Sequence, residues 1–421
     1  MKSSSYNLTG AAILAGDDLS LIQRGFVSVA DGVITAVGEG DPVNRATSID
    51  LAGRLLVPGF INGHTHLGDS ICKERGFGLP AGTNLLWAPC GLRFKWMAEH
   101  TREARIAAMR RAIEGMIATG TVAFADFREN GVSGATELRE ACAGSPITGL
   151  IYARFGGEPA QSPEELAGNK ARLSADRLRE LDACLAVADG FSPVWANELT
   201  DPALAQVTAR VRESGKRLAT HAIETPLYRE LSVKRTGRGD VERILDIVQP
   251  DFLVHMTNAT PRELGLVGRA GIPLVLCPRG QAALANGFPP LKGARDAGIT
   301  LALGSDNAML NTADALKEMD FMARTTPAVT GDSGAVQAIE LLRAATIGGA
   351  RTLGLADRLG SIVAGKSASL IVFDTTTPNF AHSADLAASV VLSAAQVDIQ
   401  AVLINGVAAY GSISARPVTT A

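Results

Sequence analysis

From residue 55 onward, short runs of β-branched and apolar residues alternate with longer segments whose apolar positions recur at helical spacing. This alternation limits the fold more than any other feature, because strand followed by helix, repeated, is the pattern of βα units on a parallel sheet. The runs are LLVPGFINGHTH (55–66), VAFADF (122–127), ITGLIYARF (147–155), FSPVWAN (191–197), RLATHAIE (217–224), FLVHMT (252–257), PLVLCP (273–278) and LALGSDNA (301–308). Between the first two, Ile106, Met109, Ile113, Met116 and Ile117 mark one helical face that stops at Gly120. Between the fourth and fifth, Leu204, Val207 and Val211 repeat the pattern before Gly215. Eight strands over about 255 residues predict a (β/α)8 barrel of the TIM type. The competing arrangement is a doubly wound open sheet, but no run is followed by a GxGxxG or GKS/GKT phosphate loop.

The flanks carry a different pattern. FVSVADGVITAVG (26–38), SIVAGKSASLIVFD (361–374) and AVLINGVAAYG (401–411) alternate apolar and polar residues around DG and NG turns. Neither flank is long enough to bury a core alone. Residues 1–54 and 360–421 are therefore expected to form one small β domain beside a barrel of 55–359. The length of 421 residues agrees, since single cores stop growing at roughly 250 to 300 residues.

Charge narrows the partners. With 40 Lys and Arg against 43 Asp and Glu, the net charge is −3. Nucleic-acid and anionic-membrane partners normally leave a basic excess, so a small-molecule substrate is expected instead. No apolar run approaches the roughly 18 residues of a membrane span. The amino-terminal run AAILAG is too short, and too soon followed by Asp17 and Asp18, for a secretory signal, so a cytoplasmic location is expected. The five cysteines contain no CxxC pair, and their odd number argues against a disulfide framework. Whether copies of the chain associate into a homo-oligomer is not written in these features.

Four of the six histidines, His64, His66, His221 and His255, fall at the carboxyl ends of predicted strands, as does Asp306. In a (β/α)8 barrel these ends form one rim, where residues distant in sequence meet. His64 and His66 lie two apart on a strand and point the same way, with Thr65 facing the other side. Alone, an HxH pair is equally a pair of polar rim residues, His221 or His255 a hydrogen-bonded core histidine, and Asp306 a helix cap. Together they make a metal site with room for water. Glu224, three residues beyond His221, has the alternative reading of a solvated glutamate at a helix start. Beside a metal-activated water it becomes a proton carrier to the substrate, Asp306 an acceptor of the water's proton, and His255 a partner for the attacking oxygen.

VPGFINGHTHL (57–67), THAIE (220–224), VHMT (254–257), CP (277–278), LGSD (303–306) and ATIGGARTLGL (345–355) with GSIVAGKSASLIVFD together resemble the amidohydrolase superfamily. The branch they resemble contains cytosine deaminase, S-adenosylhomocysteine deaminase and triazine chlorohydrolase. The resemblance covers nearly the whole chain. It implies a (β/α)8 barrel with a composite β-sandwich, and one divalent metal ion, zinc or alternatively iron, on His64, His66, His221 and Asp306. It also implies Glu224 as proton shuttle and His255 as the group polarising water or substrate. Binuclear relatives bridge two metals with a lysine on the fourth strand, and FSPVWANE (191–198) has none. The zinc deaminases with HxE and PCxxC signatures are excluded, since neither motif occurs.

The expected function is that of an aminohydrolase, which replaces an exocyclic amine of a purine, pyrimidine, pterin or related heterocycle by metal-activated water and releases ammonia. Hydrolysis of an amide, lactam or halide is the alternative, and an inactive barrel scaffold the third. Departures from the branch fall where substrate is read. A stretch ending in Glu-Trp-Leu is replaced by GDSICKERGFGLPAGTNLLWAPCGLRFKWM (68–97), and Arg279-Gly280 stand where Ser-Asn commonly follow Cys-Pro. Candidate substrate contacts are Trp87, Arg128, Glu129, Arg154, Asn197, Arg279 and Asn307, each of which could instead be a packed, solvated or ion-paired side chain. Cys277 is expected to be structural.

Overall fold

The computed structural model describes residues 5–80, 83–86 and 91–413. Five strands open the chain: β1 (Ser5–Ala15), β2 (Ser20–Ala30), β3 (Val33–Glu39), β4 (Thr47–Asp50) and β5 (Arg54–Pro58). Nine parallel strands follow: β6 (Phe60–His66), β7 (Thr121–Arg128), β8 (Thr148–Ala153), β9 (Gly190–Phe191), β10 (Arg217–Ala222), β11 (Phe252–His255), β12 (Leu274–Leu276), β13 (Leu301–Leu303) and β14 (Asp306–Asn307). Then come β15 (Leu370–Asp374), β16 (Ile399–Ile404) and β17 (Val407–Gly411).

The parallel strands run in the order β13-β12-β11-β10-β9-β8-β7-β6-β14. Since β13 and β14 are one chain segment interrupted at Gly304 and Ser305, the sheet bites its own tail. β13 pairs with β12, while β14 pairs with β6 through Asp306 opposite Thr65 and Asn307 opposite His66. Between them the Ser305 N–H donates to the His64 carbonyl at 3.0 Å. The result is the expected TIM-type barrel. Every residue of β6 and β7 is buried, as parallel strands covered on both faces require.

The helices follow the periodicity. Helix Arg102–Ala118 is capped by Thr101, whose side chain accepts from the Ala104 N–H, and buries Ile106, Met109, Ile113, Met116 and Ile117. It ends at Ala118, two residues before Gly120, where φ is +94° and a Cβ would lie 2.4 Å from Ile371 Cδ1. Helix Asp201–Glu213 buries Leu204, Val207 and Val211 and stops before Gly215, at φ +67°.

Two sequence readings change. The run 55–66 is two strands in two sheets, β5 and β6, joined at Gly59. A Cβ there would lie 2.4 Å from Val122 Cγ1, so only glycine lets the chain pass from one sheet to the other. The fourth barrel run is also shorter than 191–197. Pro193 has no N–H for the ladder and Val194 takes φ +61°, so pairing lapses after Phe191 apart from one bridge between Trp195 and His221.

Strands from the two flanks pair in a second sheet. The second sheet has the order β17-β16-β15-β5-β1-β2-β3, with β4 alongside β1, and β15 pairs antiparallel with β5 from Leu370 opposite Pro58 to Asp374 opposite Arg54. Leu8, Val27, Leu56, Leu370 and Leu403 belong to its apolar cluster. The described residues form one hydrogen-bonded sheet here, where the resemblance implies a sandwich. No described helix is long and apolar enough to cross a membrane.

Candidate metal centre and active-site cavity

Closing the ring at β6 and β14 brings His64, His66 and Asp306 together, and β10 and β11 add His221 and His255. All five are buried. Thr65 faces away from this cluster, as a strand's two-residue period dictates, with its hydroxyl 3.0 Å from Ala125 O and 2.9 Å from Asp126 Oδ2, which share its one hydrogen. His64 Nε2 lies 3.3 Å from His221 Nε2 and 3.5 Å from Asp306 Oδ1, and His66 Nε2 lies 3.8 Å from the same oxygen. His255 and Asp306 both sit in the left-handed backbone region, at φ +76° and +63°. Such backbone strain clusters at functional sites.

The donor set fits a cation. Burial lowers His64 to about 3 and, with the adjacent His255 and His64 rings, holds His221 well below the usual imidazole range, so both rings are neutral at pH 7. Burial opposes the charge of Asp306, yet the His64 hydrogen bond and the neighbouring His255 keep its carboxyl below the usual range. Imidazole nitrogens and a carboxylate oxygen lying within 4.8 Å of one another, in one group of His64, His66 and His221 and another of His64, His255 and Asp306, are the ligand chemistry of zinc and similar divalent ions.

Behind His66 stands a buried network of charges. His66 Nδ1 is hydrogen-bonded to the Phe127 carbonyl at 2.8 Å, which places the ring proton on Nδ1 and leaves the Nε2 lone pair to the cluster, and Glu129 Oε1 lies beside it at 2.9 Å as a charge contact. Glu129 in turn touches Arg93 Nη2 at 2.6 Å and Arg128 Nη1 at 3.0 Å. Arg93 reaches Asp69 at 3.3 Å, and Asp69 also accepts from Asn307 Nδ2 at 2.8 Å. Burial would raise the Glu129 carboxyl, but Arg93, His66 and Arg128 hold it well below its usual range. Burial would likewise lower His66, and Glu129 overcomes that and raises it.

Glu224 borders the imidazole cluster, grouping with His221 and His255, and is also held by partners of its own. Its Oε2 accepts from Tyr228 Oη at 2.9 Å, and its Oε1 from Gln281 Nε2 at 3.0 Å and Asn286 Nδ2 at 3.1 Å. Burial, then the Glu224 charge, push the Tyr228 phenol well above its ordinary value, so it remains a donor. His255 Nε2 stands 3.9 Å from Glu224 Oε1. A cavity of about 820 Å³ opens above these groups, with Leu85, Phe155, Trp195, Tyr228 and Leu284 among its walls and Arg154, Glu198 and Arg235 also lining it.

A match to the amidohydrolase family runs over residues 55–409. The chain belongs to this family. The amidohydrolase is 30% identical over 331 residues to a Teredinibacter turnerae protein named 5-methylthioadenosine/S-adenosylhomocysteine deaminase, covering 77% of this chain and 73% of that one. Among solved structures it is similar to an adenosine deaminase from Xanthomonas campestris with bound zinc, with a TM-score of 0.81 at 23% identity over 96% of this chain and 92% of that one. It is also similar to atrazine chlorohydrolase from Arthrobacter aurescens complexed with zinc, with a TM-score of 0.82 at 17% identity over 99% and 97%. At these identities the two structures establish a shared fold. Family and relatives make the amidohydrolase an enzyme that hydrolyses carbon–nitrogen bonds other than peptide bonds.

In this amidohydrolase the expected substrate contacts divide. Arg154 lines the cavity, 3.3 Å from Glu198. Asn197 and Asn307 line it too, but their amides are engaged: Asn197 donates to Tyr228 O and accepts from Arg243 Nη1, both at 2.8 Å, and Asn307 holds Asp69. Arg128, Glu129 and Arg279 are not among the lining residues. Arg128 runs under Gly68, where a Cβ would lie 1.5 Å from its Nη1, and serves Glu129 from behind. Arg279 turns to Glu318 Oε1 at 3.3 Å and Thr312 O at 3.2 Å. Trp87 lies outside the described residues. Cys277 is fully buried, and burial pushes its thiol well above the ordinary value, as befits a structural cysteine.

Sequence reasoning missed Arg93, Asp69, Gln281 and Trp195 as parts of the site. Trp195 had a signal, being inside a strand run that ends at the barrel rim. Arg93 had none, since nothing local in a 30-residue loop marks one arginine as the partner of a glutamate after another strand.

Proposed function

We propose that this amidohydrolase is a mononuclear deaminase of nitrogen heterocycles, replacing an exocyclic amine by water and releasing ammonia. The observation that carries this reading is that His64 is shared by two close donor groups, one with His66 and His221 and one with His255 and Asp306, beneath a cavity that Glu224 also lines. In this reading His64, His66, His221 and Asp306 hold one divalent ion, for which zinc is the first candidate and iron the second. Such an ion supplies Lewis acidity that makes water nucleophilic near neutral pH. The fourth barrel run offers no lysine with which to bridge a second.

The chain's own groups divide the proton work. Asp306, ionised and facing His64, takes one proton from the attacking water. Glu224, held as an acceptor by three donors at the cavity wall, takes the other proton of that water and hands it to the ring nitrogen, and the proton on Asp306 passes to the leaving amine, so that a C–O bond forms, the C–N bond breaks and the amine departs as ammonia. His255 faces the attacking oxygen from the adjoining strand. Phe155, Trp195 and Tyr228 give the cavity aromatic walls suited to a planar ring, and its volume is within the range that buries a whole small ligand. The deaminase named for the Teredinibacter relative makes adenosine derivatives the first substrates to try.

The test is ammonia release by zinc-loaded protein against a panel of aminated purines, pyrimidines and pterins. Stoichiometric ammonia from at least one ring is the expected result. Turnover of chlorinated rings, lactams or amides, with every aminated ring left intact, would replace deamination by the other hydrolytic reading.

A further inference from the structure

The polar atoms behind Glu224 and His255 admit one consistent set of hydrogen-bond directions. A carboxylate oxygen only accepts, so the two amides that reach Glu224 Oε1, Gln281 at 3.0 Å and Asn286 at 3.1 Å, must both present their amino groups. The Asn286 amino group also lies 3.2 Å from the other end of the Gln281 amide, which must therefore be the oxygen. Thr257 Oγ1 donates to that same oxygen at 3.2 Å. Gln281 is thus oriented from both ends by separate neighbours. Its amino group lies 3.1 Å from His255 Nδ1 and 3.5 Å from Asp306 Oδ2, and its two hydrogens go to the nearer pair, Glu224 and His255.

We propose that Gln281 is a positioning residue that ties Glu224 to His255 and sets the tautomer of His255. A ring whose Nδ1 accepts carries its N–H on Nε2. His255 therefore offers a donor, not an acceptor, to the cavity, where its Nε2 stands 3.9 Å from Glu224 Oε1. Gln281 is fully buried and outside the cavity lining, so it acts through these two groups and not on substrate. The inference rests on the assignment of Glu224 and His255 to the reacting end of the cavity.

Position 280 makes room for this arrangement. A Cβ on Gly280 would lie 2.8 Å from Asp306 Cβ and 2.9 Å from Asp306 Oδ2. Any side chain at 280 would therefore press on Asp306. Glycine at 280 and glutamine at 281 are in this sense one feature: the first lets the helix Pro278–Ala283 close on Asp306, and the second reaches the two groups beyond it.

Long-range proton–nitrogen correlation spectra of zinc-loaded protein carrying ¹⁵N-histidine report the tautomer of each ring, and the His255 signals are those lost in His255→Gln. The expected result is a wild-type His255 protonated on Nε2 with a hydrogen-bonded Nδ1. In Gln281→Met, of similar length but without a donor, the Nδ1 signal should move to the position of an unbonded ring nitrogen while zinc content and Tm stay near wild type. A wild-type His255 carrying its proton on Nδ1 would overturn the proposal, as would a folded Gln281→Met with unchanged His255 nitrogen shifts. If that variant does not fold, the wild-type spectrum decides the tautomer alone. No substrate is needed, so failure of the deamination reading would show separately, as absence of ammonia from every aminated ring.

Discussion

Glu129 Oε1 stands 2.9 Å from Nδ1 of His66, so a buried carboxylate backs the side of the ring that is hydrogen-bonded to Phe127 and turned away from the imidazole cluster. Arg93 and Arg128 keep that carboxylate ionised. Glu129→Gln retains the shape and removes the charge, and zinc affinity should fall by about 10- to 100-fold, the usual consequence of losing a group that orients a metal ligand. Chelator competition measures it, with Tm recorded alongside. An affinity equal to wild type would mean that the Phe127 carbonyl orients His66 unaided.

Removing the ligand itself should be more severe. His66→Ala should lose most of the bound metal, and elemental analysis of the wild-type protein should find about one divalent ion per chain, as four converging ligands require. Two tightly held ions per chain would end the mononuclear reading.

Glu224→Gln separates proton transfer from metal binding. The amide keeps the contact with Tyr228 but cannot carry a proton, so metal content should stay near wild type while kcat falls by roughly 10²- to 10⁴-fold. Asp306→Asn should lower both, since the proposed reading makes Asp306 a metal ligand as well as the acceptor of the water's proton. Loss of metal from Glu224→Gln would move Glu224 into the ligand set.

Asp240 predicts a pH dependence of stability. It is buried, its Oδ2 accepts from the Ile223 N–H at 3.3 Å, its Oδ1 has no hydrogen-bond partner among the described residues, and burial pushes the carboxyl up to about 7. Between the unfolded value near 4 and that raised value, the folded protein holds more protons than the unfolded one, so this residue makes stability fall as pH rises. Asp240→Asn keeps an acceptor for Ile223 and removes the charge. Its Tm relative to wild type should therefore improve steadily from about pH 4 to about pH 7 and level off above. A difference in Tm that does not vary with pH would show that Asp240 ionises as readily folded as unfolded.

The small sheet and the barrel were legible in different degrees. The DG and NG turns of both flanks marked strands that do join one sheet, but the crossing from β5 to β6 was invisible, because 55–66 reads as one apolar run. What forces the break is Val122 against Gly59, a contact between segments more than 60 residues apart.

The sequence by itself determined most of the barrel's strands, the buried faces of the helices 102–118 and 201–213, and the convergence of His64, His66, His221, His255, Asp306 and Glu224 at one rim. Each of these follows from local geometry: a strand's period of two puts His64 and His66 on one side, a helix's period of 3.6 puts Ile106 beside Met109, and a parallel barrel gathers strand ends at one rim. Only the tertiary structure decided what stands behind those residues and which neighbours face the cavity. Arg128 and Arg279 occupy rim positions as Arg154 does, yet only Arg154 lines the cavity, because Arg128 is drawn under Gly68 to Glu129 and Arg279 to Glu318. Periodicity gives the direction of a side chain inside a regular element. Past the strand ends the backbone leaves that register, as the positive φ of His255, Asp306 and Asn130 shows, and direction is then set by which partner lies within reach once the ring has closed.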